Sequence, residues 1–140
     1  MASETRVFVY GTLRSSCGNY RLLAGNTAAE YPAVLPGARL YASGIPYVTD
    51  CPDGGQVVGE LMVLLPHLAG AVLQRLDSLE GFRAARRGNL YERVSRTILY
   101  RDHDTLLKTT AWVYLAGQAT IERLTDDLIV ADGDWLSRAS

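Results

Sequence analysis

Arg6-Val7-Phe8-Val9-Tyr10-Gly11-Thr12-Leu13-Arg14 is the stretch around which the rest of this chain is arranged. Val7 to Tyr10 are four consecutive large apolar or aromatic residues, and they read as a short strand covered on both faces. Gly11 breaks that strand and lets the backbone come close to a neighbour. Thr12 adds a hydroxyl, and Leu13 resumes the apolar pattern. A core strand that stops in Gly-Thr leaves N–H groups without ladder partners, so they must find water, a side chain or a ligand. Anion-binding concavities are built from ordinary backbone in this way. The same residues also describe a plain tight turn at Gly11. A second element, distant in the chain, has to decide between the two.

Outward from that strand, Arg14 to Glu30 is rich in Ser, Gly and Asn and reads as a long loop or an irregular helical turn. Ala33 to Tyr41 holds a Pro36-Gly37 turn between strand-like flanks. Ile45-Pro46-Tyr47-Val48 is extended, and its proline argues for an edge position. Asp50 to Gly55 is a turn, followed by a strong strand from Gln56 to Leu65 in which Gly59 is a candidate bulge. Pro66 opens a helix with an apolar stripe of Leu68, Val72, Leu76 and Leu79, and Gly81 suits the position past its end. A basic loop with Arg83, Arg86 and Arg87 leads to a strand from Leu90 to Tyr100. The turn Asp102-His103-Asp104 then returns the chain through Leu107 to Leu115 as a hairpin. Ile121, Leu124 and Leu128 form a short helical pattern before Asp132-Gly133-Asp134-Trp135. Several strands interrupted by one good helix give an α+β class, with the strands able to close into a small mixed β-barrel flanked by helices.

A length of 140 residues is expected to form one domain, residues 1–140, with a real core. Apolar residues at 48% and charged residues at 21% argue against disorder. The net charge of −1 gives no reason to expect nucleic acid or an anionic membrane as partner. With no run of transmembrane length and no signal-peptide pattern after Met1, the expectation is a soluble cytoplasmic protein.

Few residues invite chemistry. Cys17 and Cys51 form neither a disulfide framework nor a metal-type spacing, and nothing activates Cys17 as a nucleophile. His67 and His103 lie far apart without ligand partners at spacing, so they read as surface histidines and no metal or cofactor is expected. The three arginines read as a solvated loop, with reception of an anionic substrate as the minor alternative. Glu80 is different. It stands at a helix end in Leu76-Asp77-Ser78-Leu79-Glu80-Gly81-Phe82, with apolar neighbours on both sides. A carboxyl group buried there has its pKa raised and can take and return a proton near neutral pH. The local pattern leaves two orientations open: Glu80 inward, or Glu80 outward with Leu79 and Phe82 inward. Asp77, one turn earlier, is expected to face solvent or the start of the loop.

In order, the strand into Tyr10-Gly11-Thr12-Leu13, then Gly44-Ile45-Pro46-Tyr47, Val57-Val58-Gly59-Glu60-Leu61, the Glu80 segment and Tyr91-Glu92-Arg93-Val94 resemble the γ-glutamylcyclotransferase-like proteins. That family includes the AIG2-like and butirosin-pathway branches, and the resemblance covers roughly residues 6 to 115. It implies a small barrel of mixed strands with flanking helices. It also implies release of an amine from a γ-glutamyl amide, with formation of 5-oxoproline. Carried over by motif, Glu80 takes the place of the family's catalytic glutamate. Tyr10, Gly11, Thr12 and Leu13 take the place of the loop that holds the glutamyl group through backbone amides, and Tyr91 that of a pocket tyrosine. The implied partner is a small-molecule γ-glutamyl amide. Its amine could be an amino acid, an ε-lysine, a polyamine, part of glutathione or a biosynthetic intermediate.

The implied reaction accords with what the sequence lacks. The substrate's own α-amino group attacks its γ-carbonyl, so no serine, cysteine or metal is called for. Positioning the flexible glutamyl chain is worth roughly 7–11 kcal/mol in well-oriented intramolecular reactions. The alternative is a module of the same fold that binds a small acidic metabolite without turning it over. Monomer and dimer both stay open.

Overall fold

In a computed structural model that describes residues 4–83 and 88–137, the opening strand is β1, Arg6–Val9. Its alternation sends Phe8 into one core and Val7 and Val9 into another, so both faces are covered as the run of apolar residues requires. Strands β2 (Thr27–Pro36), β3 (Ala38–Ser43), β4 (Ile45–Asp50), β5 (Gln56–Leu64), β6 (Tyr91–Asp102) and β7 (Thr105–Ala116) follow. Five of them close a barrel in the order β1-β5-β2-β6-β7. β1 lies antiparallel to β5, with Phe8 opposite Leu61, and parallel to β7 at Val7 and Trp112. β3 and β4 form a separate two-stranded hairpin with Pro46 opposite Ala42, consistent with an edge-tolerant proline. The barrel interior is filled by Phe8, Leu35, Val57, Leu61, Ile98 and Val113, among others, and by Trp135 from the tail. Helix α1 (Ala69–Leu79) packs Val72 and Leu76 with Val7, Val9, Met62 and Leu64.

Four elements differ from the sequence expectation. Within Arg14–Glu30 the irregular helical turn is present as a 3₁₀ turn at Gly18–Leu22, but β2 already begins at Thr27. That half of β2 lacks a long apolar run and is ordered by its ladder to β5, with a register irregularity between Thr27 and Ala29. Gly59 is not a bulge, because Ala33 to Pro36 pair in regular register with Gly59 to Gln56. It is a site of close approach, where an added Cβ would lie 2.2 Å from the Val9 carbonyl oxygen. Helix α1 starts at Ala69, since Pro66 to Leu68 first make a tighter turn in which Leu68 N–H donates to Leu65 O at 3.0 Å. The tail pattern resolves into a four-residue helix α2 (Gln118–Ile121) and a 3₁₀ turn at Asp126–Leu128. Among the described residues no helix is long and apolar enough to cross a membrane.

Candidate active site

Beyond β1 the chain turns sharply, with Arg14 N–H donating to Gly11 O at 3.1 Å. Gly11 is required here by crowding, not by its backbone angles: a Cβ would sit 2.5 Å from Cγ of Pro46 on β4. Leu13 is buried beneath the turn. Three further ties hold it. Asn19 N–H donates to Thr12 O at 3.0 Å and its side-chain amide to Thr12 Oγ1 at 2.8 Å. The Arg14 guanidinium pairs with Asp134 in the tail at 2.8 Å. Ser15 donates through both N–H and Oγ to the Glu60 carboxylate, at 2.6 and 2.7 Å. The N–H groups of Gly11, Thr12 and Leu13 meet no acceptor among the described residues. A fixed turn with three unspent donors suits a carboxylate or an oxyanion.

Glu80 is placed by the end of α1. Phe82 N–H donates to Asp77 O at 2.8 Å and Gly81 N–H to Ser78 O at 3.3 Å, with Gly81 at φ 67°. This paired closure, with a left-handed glycine just past the helix, terminates α1 in a fixed geometry. The open question of orientation is decided by helical spacing. Val72, Leu76 and Glu80 follow one another at intervals of four, so the row that buries the first two carries Glu80 inward. Leu79 lies off that row, at the edge of the same pocket, and is 43% exposed. Burial raises the Glu80 carboxyl from 4.5 to about 7, and no donor among the described residues reaches it to offset that.

Three tyrosines surround this carboxyl. Tyr10 donates its hydroxyl to Tyr114 O at 2.5 Å, Tyr91 to Pro46 O at 2.5 Å, and Tyr114 to Asp77 Oδ1 at 2.7 Å. All three titrate above the usual tyrosine range, chiefly through burial; the negative charge of Glu80 adds to the effect in each. Their protons are therefore committed to the protein, and the rings serve as walls. Tyr91 stacks on Tyr47 at 5.0 Å between ring centres. Asp77, expected to face solvent, instead accepts from Tyr114 and pairs with Arg93 at 2.9 Å. The Arg93 guanidinium is in turn sandwiched by aromatic faces, 4.5 Å from Trp112 and 5.5 Å from Phe82.

These elements enclose a pocket of about 200 Å³. It brings together Tyr10, Gly11, Thr12, Leu13, Glu80 and Tyr91, which the sequence had singled out from three separate regions. It adds Tyr114, Pro46 and Asn19, which local pattern did not mark as site residues: Tyr114 reads only as one more β7 residue, and barrel closure alone sets it opposite Glu80. Cys17, His67, His103 and Arg83 do not line it. Arg86 and Arg87 lie outside the described residues.

The fold is similar to several solved structures. An AIG2-like protein from Mus musculus superposes with a TM-score of 0.69 at 19% identity, over 95% of this chain and 88% of that one. A γ-glutamylcyclotransferase specific to glutathione from yeast gives 0.64 at 13% identity, over 98% and 85%. YkqA from Bacillus subtilis gives 0.68 at 23% identity over 99% of this chain, which spans only 44% of the YkqA chain. No curated protein sequence matches significantly. Residues 7–137 match the family described as Gamma-glutamyl cyclotransferase, AIG2-like. With its sequence matched over nearly its whole length and its barrel shared with these structures, the chain belongs to the AIG2-like γ-glutamylcyclotransferase family.

Proposed function

We propose that the protein is a γ-glutamylcyclotransferase that releases an amine or amino acid from a γ-glutamyl amide and leaves 5-oxoproline, with Glu80 as general acid and base. The observation that carries this reading is the half-buried Glu80 carboxyl, pushed up to about 7 by desolvation, in one pocket with the unspent amides of Gly11 to Leu13. A group poised near the working pH is suited to both directions of proton transfer.

In the proposed mechanism the glutamyl α-carboxylate or the developing oxyanion rests on the Gly11–Leu13 amides, and the tyrosine walls fold the chain so that its α-amine meets the γ-carbonyl. Ionised Glu80 takes a proton from the α-ammonium group. The freed amine attacks the γ-carbon, forming the ring C–N bond. As the tetrahedral centre collapses, the original amide C–N bond breaks, and Glu80 delivers its proton to the departing nitrogen. The ring nitrogen, left with two hydrogens by the attack, gives its second proton to the released amine by the same route. Two protons in all pass from the α-nitrogen to the departing nitrogen, the lactam is neutral, and Glu80 ends ionised as it began. The small-molecule amide supplies both nucleophile and leaving group, so the protein contributes position and a proton carrier.

Mass-spectrometric detection of 5-oxoproline from a panel of γ-glutamyl amides, with wild type and Glu80→Gln side by side, tests the proposal. Product from wild type and loss by a hundredfold or more in the folded variant are expected. Equal turnover in both would remove Glu80 from the mechanism. Binding of 5-oxoproline without turnover of any amide would favour a non-catalytic binding module on this fold.

A further inference from the structure

The segment Gly133-Asp134-Trp135 lines no part of the pocket, yet it is bound to the turn that does. Asp134 Oδ1 accepts from Arg14 Nη1 at 2.8 Å, across 120 positions of sequence. Arg14 closes the Gly11 turn through its own N–H, and its carbonyl accepts from Cys17 N–H at 2.8 Å. Its backbone is therefore part of the turn, and its side chain is an arm by which the turn is held.

Asp134 is a firm anchor. Val58 N–H of β5 donates to Gly133 O at 2.8 Å, and Val130 N–H donates to Leu40 O of β3 at 2.9 Å. Gly133 lies against the Gln56 carbonyl too closely to leave room for a side chain. Trp135 joins Phe8 and Tyr10 in the barrel core. Asp134 N–H donates to Asp132 Oδ1 at 3.1 Å, and Asp134 Oδ1 also accepts from Leu136 N–H at 3.0 Å. The other side of the pair stands nearer to water: Ser15 and Ser16, which follow Arg14, are exposed.

The pair is poorly built for stability alone. Both side chains are largely withdrawn from water, at 12% and 29% exposure, which costs desolvation. A single Nη1 contact offsets that cost, and the buried Arg14 Nε meets no acceptor among the described residues. Apolar side chains of similar size often serve as well in such places. What the ion pair adds is direction, because it fixes where the last residue of the turn stands relative to the barrel.

Resting on the reading of the pocket as a cyclotransferase site, we infer that Asp134 is a positioning residue, acting through Arg14 to set the aim of the Gly11–Leu13 amides on the substrate. Glu80 is placed from α1 by separate hydrogen bonds, so different parts of the chain aim the amides and the proton carrier. Loosening Asp134 weakens the hold on the glutamyl end and leaves the ionisation of Glu80 as it was.

The test compares Asp134→Asn with the double substitution Arg14→Met and Asp134→Asn. Asparagine keeps an acceptor for Leu136 N–H. The single variant leaves the Arg14 charge without its partner and should melt lower, whereas the double variant removes both charges and should regain most of that stability. Release of 5-oxoproline from γ-glutamyl-alanine, γ-glutamyl-ε-lysine and γ-glutamyl-propylamide is measured with wild type and both variants. In both variants kcat/KM should fall about tenfold or more on every amide that wild type turns over, with the bend of the pH profile kept in place. Backbone amide resonances of Gly11, Thr12 and Leu13 should shift in the double variant, while those of Gly81 and Phe82 stay. A kcat/KM at or near the wild-type level in the double variant overturns the inference, since it marks a structural role, and leaves the cyclotransferase reading intact. A displaced bend also overturns it, because the pair would then act through Glu80. No 5-oxoproline from wild type with any of the amides overturns the cyclotransferase reading. The hold of Asp134 on the turn is then decided by the resonances, and unmoved Gly11 to Leu13 resonances overturn it.

Discussion

Replacing Glu80 by Gln should make the protein more stable at pH 8 and leave its stability almost unchanged at pH 4.5. The reasoning starts from the carboxyl, whose pKa in the fold is about 7 against 4.5 in the absence of burial. Between those values the folded protein holds a proton that the unfolded chain releases, so stability falls as pH rises. The stabilising effect of the proton is complete below 4.5 and is lost as pH passes 7. The gap between the two values corresponds to roughly 3 kcal/mol, and the partial exposure of Glu80 trims this toward about 2. Glutamine has nearly the same shape and no charge to desolvate, so the variant escapes that loss. Urea denaturation of both proteins from pH 4 to 8.5 measures it, with m-values checked for constancy. The difference between variant and wild type should grow by about 2–3 kcal/mol between pH 4.5 and 8, which is several degrees or more in Tm. A difference that stays constant across that range would refute the burial of an ionisable Glu80.

Substitutions at three other positions probe the frame of the pocket. Gly59→Ala places a methyl group against the Val9 carbonyl, which is backbone and cannot swing away; destabilisation of about 3 kcal/mol or more is expected in thermal or urea melts. Gly11→Ala pushes against the Pro46 ring. It should cost about 1–2 kcal/mol in stability but on the order of a hundredfold in kcat/KM, because it displaces the turn that is proposed to hold the substrate. Asp77→Ala strips Arg93 of its ion-pair partner and the Tyr114 hydroxyl of its acceptor. A loss of about 2–3 kcal/mol follows, and Asp77→Asn, which keeps an acceptor oxygen, should lose visibly less; chemical denaturation of the pair distinguishes them.

How far the sequence could be read depended on where the information lay. β1, the apolar row of α1 and the β6–β7 hairpin were legible because each carries its own period and its own stop: Gly11, Gly81 and the His103-Asp104 turn. The first half of β2 was not, since Thr27 to Pro32 has no strand pattern of its own and is held by β5. Gly59 shows the same limit. A glycine inside a strand announces an irregularity, but only the packing of Phe8 and Val9 against it says that the irregularity is close approach. At the site, the inward turn of Glu80 was one of two orientations on local pattern, although the interval of four from Val72 through Leu76 already favoured it. Asp77 was misread because its partners come from β6 and β7, far along the chain, and no local feature of the helix anticipates a tyrosine and an arginine brought there by barrel closure. Tyr114 and Pro46 were missed for the same reason.

The pH dependence of 5-oxoproline release tests the proposed proton-carrying role of Glu80 most directly. With an amide that wild type turns over, kcat/KM measured from pH 5 to 8 should rise about tenfold per unit at low pH and bend to a plateau near 7, as the Glu80 carboxyl ionises. A profile that is already flat at pH 5, bending only where an ordinary exposed glutamate titrates, would contradict the assignment of Glu80 as the buried base.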